Sequence, residues 1–334
     1  EFKPATRPVA DNTPPSAEKA YLEGLAADKK SNELAARAAY NEAVKLDPGY
    51  APAHIQLGLS FYRTGEYDRA AEYLEAALKR NRDAGDAHYY LGLVRRAQNR
   101  IGEAIEELMW CVRSGHRESV ARYVLGEIHL ASDSIGQALE QLTQAVRLDP
   151  RDLKARTVLA MAERLDFRLD DAQKHIDEVL REMPIDYLAL YERAKILEPR
   201  HEDESKRVSA ELWRLLSREP DAAIELAMDL LPLRKVEGME VLEKAFFESY
   251  LTLRKAPSPM VLYALGYFSD KDPEFFYRLA TQKMLPYTFP HRIEEIIVLR
   301  GALKTNPYDG YAAYLLGNAL ASKLRFKEAL DAWR

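Results

Sequence analysis

The chain has 334 residues, 47% hydrophobic and 30% charged, with 48 basic side chains against 53 acidic ones and a net charge of −5. That balance can bury a core and stay in solution, and the scarcity of Gly and Pro beside abundant Ala, Leu, Glu and Arg favours helix over strand. The acid excess argues against a nucleic-acid binder, which needs a basic surplus to displace counterions, and no apolar run approaches the roughly 18 residues of a membrane span.

In chain order, residues 1–16 carry Pro4, Pro8, Pro14 and Pro15 with little to bury, so they read as a Pro-rich linker following something attached ahead of it. From residue 17 a period takes over. Gly24, Gly58, Gly92 and Gly126 are 34 residues apart, and the next step lands on Ala160. Ala36, Ala70, Ala104, Ala138 and Ala172 share the spacing, as do Ala43, Ala77, Cys111, Ala145 and Val179, and Pro48, Pro150 and Pro184 fall on the same grid. Each column has a steric reason. The pairs Leu57-Gly58, Leu91-Gly92, Leu125-Gly126 and Leu159-Ala160 put a small residue where two helices cross. Tyr40, Leu74, Leu108, Leu142 and Ile176 fill the space beyond, and a closing proline stops the second helix. Gly65 suits the tight turn between the helices of its unit.

Five units therefore run over 17–50, 51–84, 85–118, 119–152 and 153–186, and a sixth over 187–222 fits with two residues inserted near His201–Ser205. Between 223 and 290 the grid fails. Helices are still expected at 221–231, 236–254, 259–268 and 274–284, with loops at 255–259 and 285–290, and Leu265-Gly266 looks like another crossing. We read 223–290 as degenerate helical repeats, a helical insertion being the alternative. Over 291–334 the pattern returns: Leu299, Ala302 and Pro307 close one unit, while Leu316-Gly317, Ala329 and Trp333 open another that is truncated within its second helix.

These motifs identify the tetratricopeptide-repeat (TPR) pattern. The fold expected is all-α, a right-handed superhelical solenoid of antiparallel helix pairs. A narrower resemblance rests on Ala20 to Leu25, Asp152 to Arg156, Pro184 to Tyr187, Phe289 to Glu295, Asn306-Pro307 and Tyr314 to Asn318. These stretches resemble the C-terminal TPR tail of large bacterial proteins that carry a mutarotase-like β-sandwich domain of unknown function. That resemblance implies a longer parent protein with a preceding sandwich domain, and supplies no function.

In such an array, positions 2, 5, 9 and 12 of each first helix share the concave face, because their offsets follow the helical period. Position 5 is Tyr21, Ile55, Tyr89, Tyr123, Thr157 and Tyr191, and Tyr314 in the last unit. Position 12 brings Tyr62, Arg96, Leu130 and Arg164, and position 9 brings Glu127 and, at the end, Asn318. The partner-binding set expected is Tyr21, Tyr62, Tyr89, Arg96, Tyr123, Glu127, Arg164, Tyr191, Tyr314 and Asn318. Tyrosine gives broad amphipathic contact and arginine grips carboxylates or carbonyls. The bland alternative is that some of these tyrosines pack on the neighbouring helix. The first unit has Tyr21 and Leu25 where carboxylate-clamping TPR domains place Lys and Asn, which argues against that specialised role.

No catalytic or metal constellation is visible. His54 and His88 fall at a helix seam, no His or Cys pair has metal-ligand spacing, and the single Cys111 sits in a small-residue column. No enzyme activity, cofactor or metal is expected. The leading function is a non-catalytic protein-interaction scaffold that binds a protein, a peptide or its own missing N-terminal domain. The alternative is an accessory module of a carbohydrate-active protein, with a Tyr-lined face on glycan or on the sandwich domain. An uncapped C-terminal end also leaves a homodimer open. No nucleic acid or membrane partner is expected. The compartment is not fixed, a cytoplasmic setting being favoured over a periplasmic one.

Overall fold

The computed structural model describes residues 14–218, 222–247, 258–269, 272–282 and 289–334. Among these residues there are nineteen helices and no strand. They divide into two compact units, one ending at Arg117 and the other beginning at Glu118. Residues 1–13 of the expected linker, Pro220 and parts of the expected helices and loops between 248 and 288 lie outside the described residues.

The first unit holds α1 (Pro15–Lys29), α2 (Glu33–Leu46), α3 (Ala51–Arg63), α4 (Tyr67–Arg80), α5 (Gly85–Ala97) and α6 (Ile101–Ser114). Pro15, given to the linker by the sequence, already occupies the first turn of α1, where its missing N–H costs nothing. Each pair turns back on itself through one residue in the left-handed region: Ser31 (φ 54), Gly65 (φ 73) and Asn99 (φ 60). The crossings need small residues. A Cβ on Gly58 would sit 2.6 Å from the Leu74 Cγ. Tyr40, Leu57, Leu74 and Leu91 make the core beside them. Phe61 is buried in the same core. The Arg37 and Arg69 guanidinium carbons lie 4.4 and 3.8 Å from its ring centroid, and it stacks on Tyr73 at 5.3 Å.

The second unit continues the pattern in α7 (Glu118–Ala131) with α8 (Ile135–Leu148), α9 (Leu153–Leu165) with α10 (Leu169–Glu182), and α11 (Tyr187–Leu197) with α12 (Glu202–Leu216). Asp152 and Asp186 cap α9 and α11 by accepting the backbone N–H three residues on. Gly126 faces Leu142, while Ala160 and Ile176 share one buried cluster. The turn residues Asp133 (φ 56) and Phe167 (φ 61) extend the left-handed column.

The degenerate stretch is helical where it is described: α13 (Ala222–Leu230), α14 (Lys235–Phe247), α15 (Pro259–Phe268) and α16 (Pro273–Gln282). Gly266 of α15 meets the Tyr277 ring of α16 as the sequence pair Leu265-Gly266 suggested. Then come α17 (Ile293–Thr305), α18 (Gly310–Ser322) and α19 (Phe326–Trp333). Helix α17 packs against both α15 and α18. Buried Asp309 ties this end together. It caps α18 at the Tyr311 and Ala312 N–H groups, and accepts the Tyr263 hydroxyl at 3.0 Å and the Thr281 hydroxyl at 3.2 Å.

Candidate functional site

In the first unit, positions 2, 5, 9 and 12 of α1, α3 and α5 are Glu18, Tyr21, Leu25 and Asp28, then Pro52, Ile55, Leu59 and Tyr62, then Asp86, Tyr89, Leu93 and Arg96. All twelve are half-buried. That uniformity is what a shared face predicts: each side chain packs its stem on a neighbour and keeps one side toward solvent. Tyr21 meets Tyr40 at 5.8 Å and stands edge-on to Tyr50 at 5.4 Å, and burial raises its phenol above the ordinary value. Tyr62 leans on Tyr67 at 6.0 Å. Tyr89 stands edge-on to Tyr90 at 5.3 Å, with the Arg117 guanidinium 5.4 Å from its centroid. Arg117 in turn donates to Asp86, which also meets His116 at 3.2 Å. Asp28 accepts the Tyr40 hydroxyl at 2.5 Å. The face is thus an apolar strip of Leu25, Ile55, Leu59 and Leu93 edged by tyrosine rings and charges.

The same positions in the second unit are placed differently. Leu130, Thr157, Met161 and Tyr191 are buried, and Glu127 is 9% exposed. Tyr123 spends its hydroxyl on Glu127. Arg164 does not face solvent as expected: its guanidinium is clamped by two carboxylates. Nε meets Glu192 at 2.7 Å, and Nη2 meets Glu192 at 3.2 Å and Glu237 at 2.9 Å. Burial alone would lower its pKa, but the two carboxylates outweigh that and raise it. Burial pushes the fully enclosed Glu192 carboxyl up, against the pull of Arg164. Tyr191 is also enclosed, with Lys195 Nζ 5.7 Å from its ring centroid, and its buried hydroxyl has no hydrogen-bond partner. The second carboxylate comes from α14. Glu237 belongs to it, 73 residues from Arg164, so no repeat column could have announced the pair.

At the far end of the second unit, Tyr314 is half-exposed and stacks on Tyr311, and Asn318 buries an amide nitrogen with no partner. Both line an open cleft of about 750 Å³ with Tyr308 and Trp333. The Trp333 indole donates to the Tyr314 carbonyl at 3.3 Å.

Among the described residues no group of three or more His, Cys, Asp or Glu could hold a metal ion, and no helix is long and apolar enough to cross a membrane. Burial pushes the Cys111 thiol up to about 12, which leaves it a poor nucleophile. His54 is buried with Nε2 at 2.9 Å from the Pro48 carbonyl. His88 stacks on Trp110 at 4.1 Å, with Nδ1 at 2.5 Å from Glu107.

The family model described as Tetratricopeptide repeat matches residues 55–109. The chain carries tetratricopeptide repeats. Solved structures of the TPR fold agree. The Pseudomonas aeruginosa pilF structure is 19% identical and superposes with a TM-score of 0.56, covering 63% of this chain and 95% of that one. The structure of PilW, a type IV pilus biogenesis factor, is 16% identical with a TM-score of 0.56, covering 65% of this TPR chain and 99% of its own. At these identities the likeness is one of fold. No curated protein matches the sequence.

Proposed function

We propose that this TPR chain is a non-catalytic interaction scaffold, and that the face formed by α1, α3 and α5 takes an extended peptide or a surface of a partner protein. The observation that carries this is the contrast between the two units. The inner positions of α1, α3 and α5 are all half-open, whereas six of the twelve in α7, α9 and α11, among them Leu130, Thr157, Met161 and Tyr191, are buried. Tyrosine and arginine are enriched among the residues that carry binding energy at protein interfaces, and an apolar strip beside them suits the buried centre of one.

The test is selection from a random-peptide display library on the immobilised chain, followed by affinity measurement of a selected peptide. Replacing Tyr62 and Tyr89 together by alanine should weaken it about tenfold or more, since aromatic anchors typically contribute 1–2 kcal/mol or more each. Helix content by circular dichroism should be unchanged. Equal affinity for the variant, or peptides that cross-link only to the second unit, would overturn the reading.

A further inference from the structure

Helix α14, itself part of the second unit, meets the repeats of that unit in an ordered way. Asp133, Arg164 and Lys195 belong to three successive repeats and are spaced 31 residues apart, three short of the repeat length, so each lies about one helical turn further back than the last. A helix crossing the repeats obliquely meets them in succession. Helix α14 and the residue before it supply the complements at three-residue intervals. Arg234 meets Asp133 at 2.6 Å, Glu237 meets Arg164 at 2.9 Å, and Glu240 meets Lys195 at 3.1 Å. Both ladders change sign once, after the first pair, and the central pair is the least exposed of the three. The apolar residues of α14, Val241, Leu242, Ala245 and Phe246, join the core elsewhere along the helix. The seat is also imperfect, for the Tyr191 hydroxyl in it goes unpartnered. The two outer pairs are exposed enough to be weakened by salt, whereas the central one is shielded from it.

We propose that α14 is an internal ligand of this TPR array. It latches onto a built acidic-helix site, and an amphipathic helix from a partner, with carboxylates three residues apart, takes its place. Arg164 is kept ready for either occupant by Glu192, which holds the guanidinium from the other side. This second surface is independent of the one proposed on α1, α3 and α5, and its test does not involve that face.

Two measurements decide it. Native-state hydrogen exchange on the wild-type chain should show α14 amides exchanging at least tenfold faster than those of α9 and α11, with little dependence on sub-denaturing urea and with acceleration by salt. Exchange of α14 at the same rate and with the same urea dependence as α9 and α11 overturns the latch. The second measurement uses a fluorescein-labelled peptide of residues 233–247 and the full chain carrying E237K and E240K. The peptide should bind this chain at least tenfold more tightly than wild type, and adding R164E and K195E should abolish binding. No binding, or binding indifferent to R164E and K195E, overturns the acidic-helix site. Should the variants fail to fold, the wild-type exchange measurement alone decides.

Discussion

Replacing Arg164 by methionine is the sharpest perturbation of this fold. The guanidinium is the common partner of Glu192, which has no exposed surface, and of Glu237, whose side chain is 11% exposed. Methionine keeps the volume of the stem and removes the charge, leaving two carboxylates enclosed side by side. Removing one partner of a buried ion pair costs about 3–5 kcal/mol, because the other charge stays desolvated. For a unit of this size that corresponds to a melting shift of about 6–20 °C. Urea titration followed by tryptophan fluorescence is suited to the measurement, since the Trp213 ring lies 4.7 Å from Lys244 Nζ of α14 and reports on this region. The pH dependence gives a second signature. Without Arg164, nothing offsets the burial that holds the Glu192 carboxyl above its ordinary range, so the folded state binds more protons than the unfolded one. Stability is then lost as pH rises from the unfolded value through the folded one, and the variant should recover stability on mild acidification. Adding E192Q and E237Q should restore most of the loss and flatten the pH response. A cost under about 1 kcal/mol, or a cost that does not change with pH, would refute the buried-clamp argument.

Three further expectations follow from local geometry. A Cβ on Gly126 would lie 2.4 Å from the Leu142 Cγ, whereas one on Gly92 would lie 2.9 Å from the Leu108 Cγ. Overpacking of about 1–3 kcal/mol should therefore exceed the helix-propensity gain of about 1 kcal/mol at Gly126, and roughly cancel it at Gly92, as compared by urea midpoints of the two alanine variants. Phe167 is 86% exposed in a left-handed conformation. Phe167→Gly should raise thermal stability by about 0.5–1 kcal/mol, the relief of side-chain strain less the added unfolded-state entropy. Burial alone would lower the His88 pKa, but the hydrogen bonds to Glu107 and to the Arg82 carbonyl outweigh it, so the net shift is upward. The stability this contributes is present below the ordinary histidine value and lost as pH rises through the raised one, a dependence that His88→Gln should remove from the first unit's urea midpoint between about pH 6 and 8.

The helix pairs were legible because their cause is local and repeated. A small residue at Gly58 or Gly126 and a large one sixteen places on are two halves of one contact, and 34-residue spacing copies it down the chain. The turn column was present in the same grid and harder to see. Ser31, Gly65, Asn99, Asp133 and Phe167 share a left-handed backbone but have little in common as side chains, so only Gly65 announced itself. In α17 the alanine at the crossing position is replaced by Glu295, which turns inward and accepts the His291 and Arg292 N–H groups at 2.7 Å. The degenerate stretch keeps its helices after losing its columns, because apolar spacing needs only a neighbour to bury against. Gly266 and Tyr277 make the same kind of contact eleven residues apart instead of sixteen.

Inner positions were read from periodicity alone, and periodicity says which side of a helix a residue occupies, not what lies across from it. For Tyr62, Tyr89 and Arg96 that was enough to place them on a half-open face. For Arg164 and Tyr191 it was not, because Tyr191 is buried and the second carboxylate on Arg164 comes from a helix outside the repeat grid. The partner could have been sought by charge. Arg234, Glu237 and Glu240 step by three and reverse sign after the first, while Asp133, Arg164 and Lys195 step by 31 with the opposite signs. Two such ladders, one on a helix and one across repeats, are complementary only if the helix lies obliquely over the array. A repeat protein with a break in its columns should therefore have the broken segment compared by charge with the inner positions before it, since that segment is the nearest available ligand.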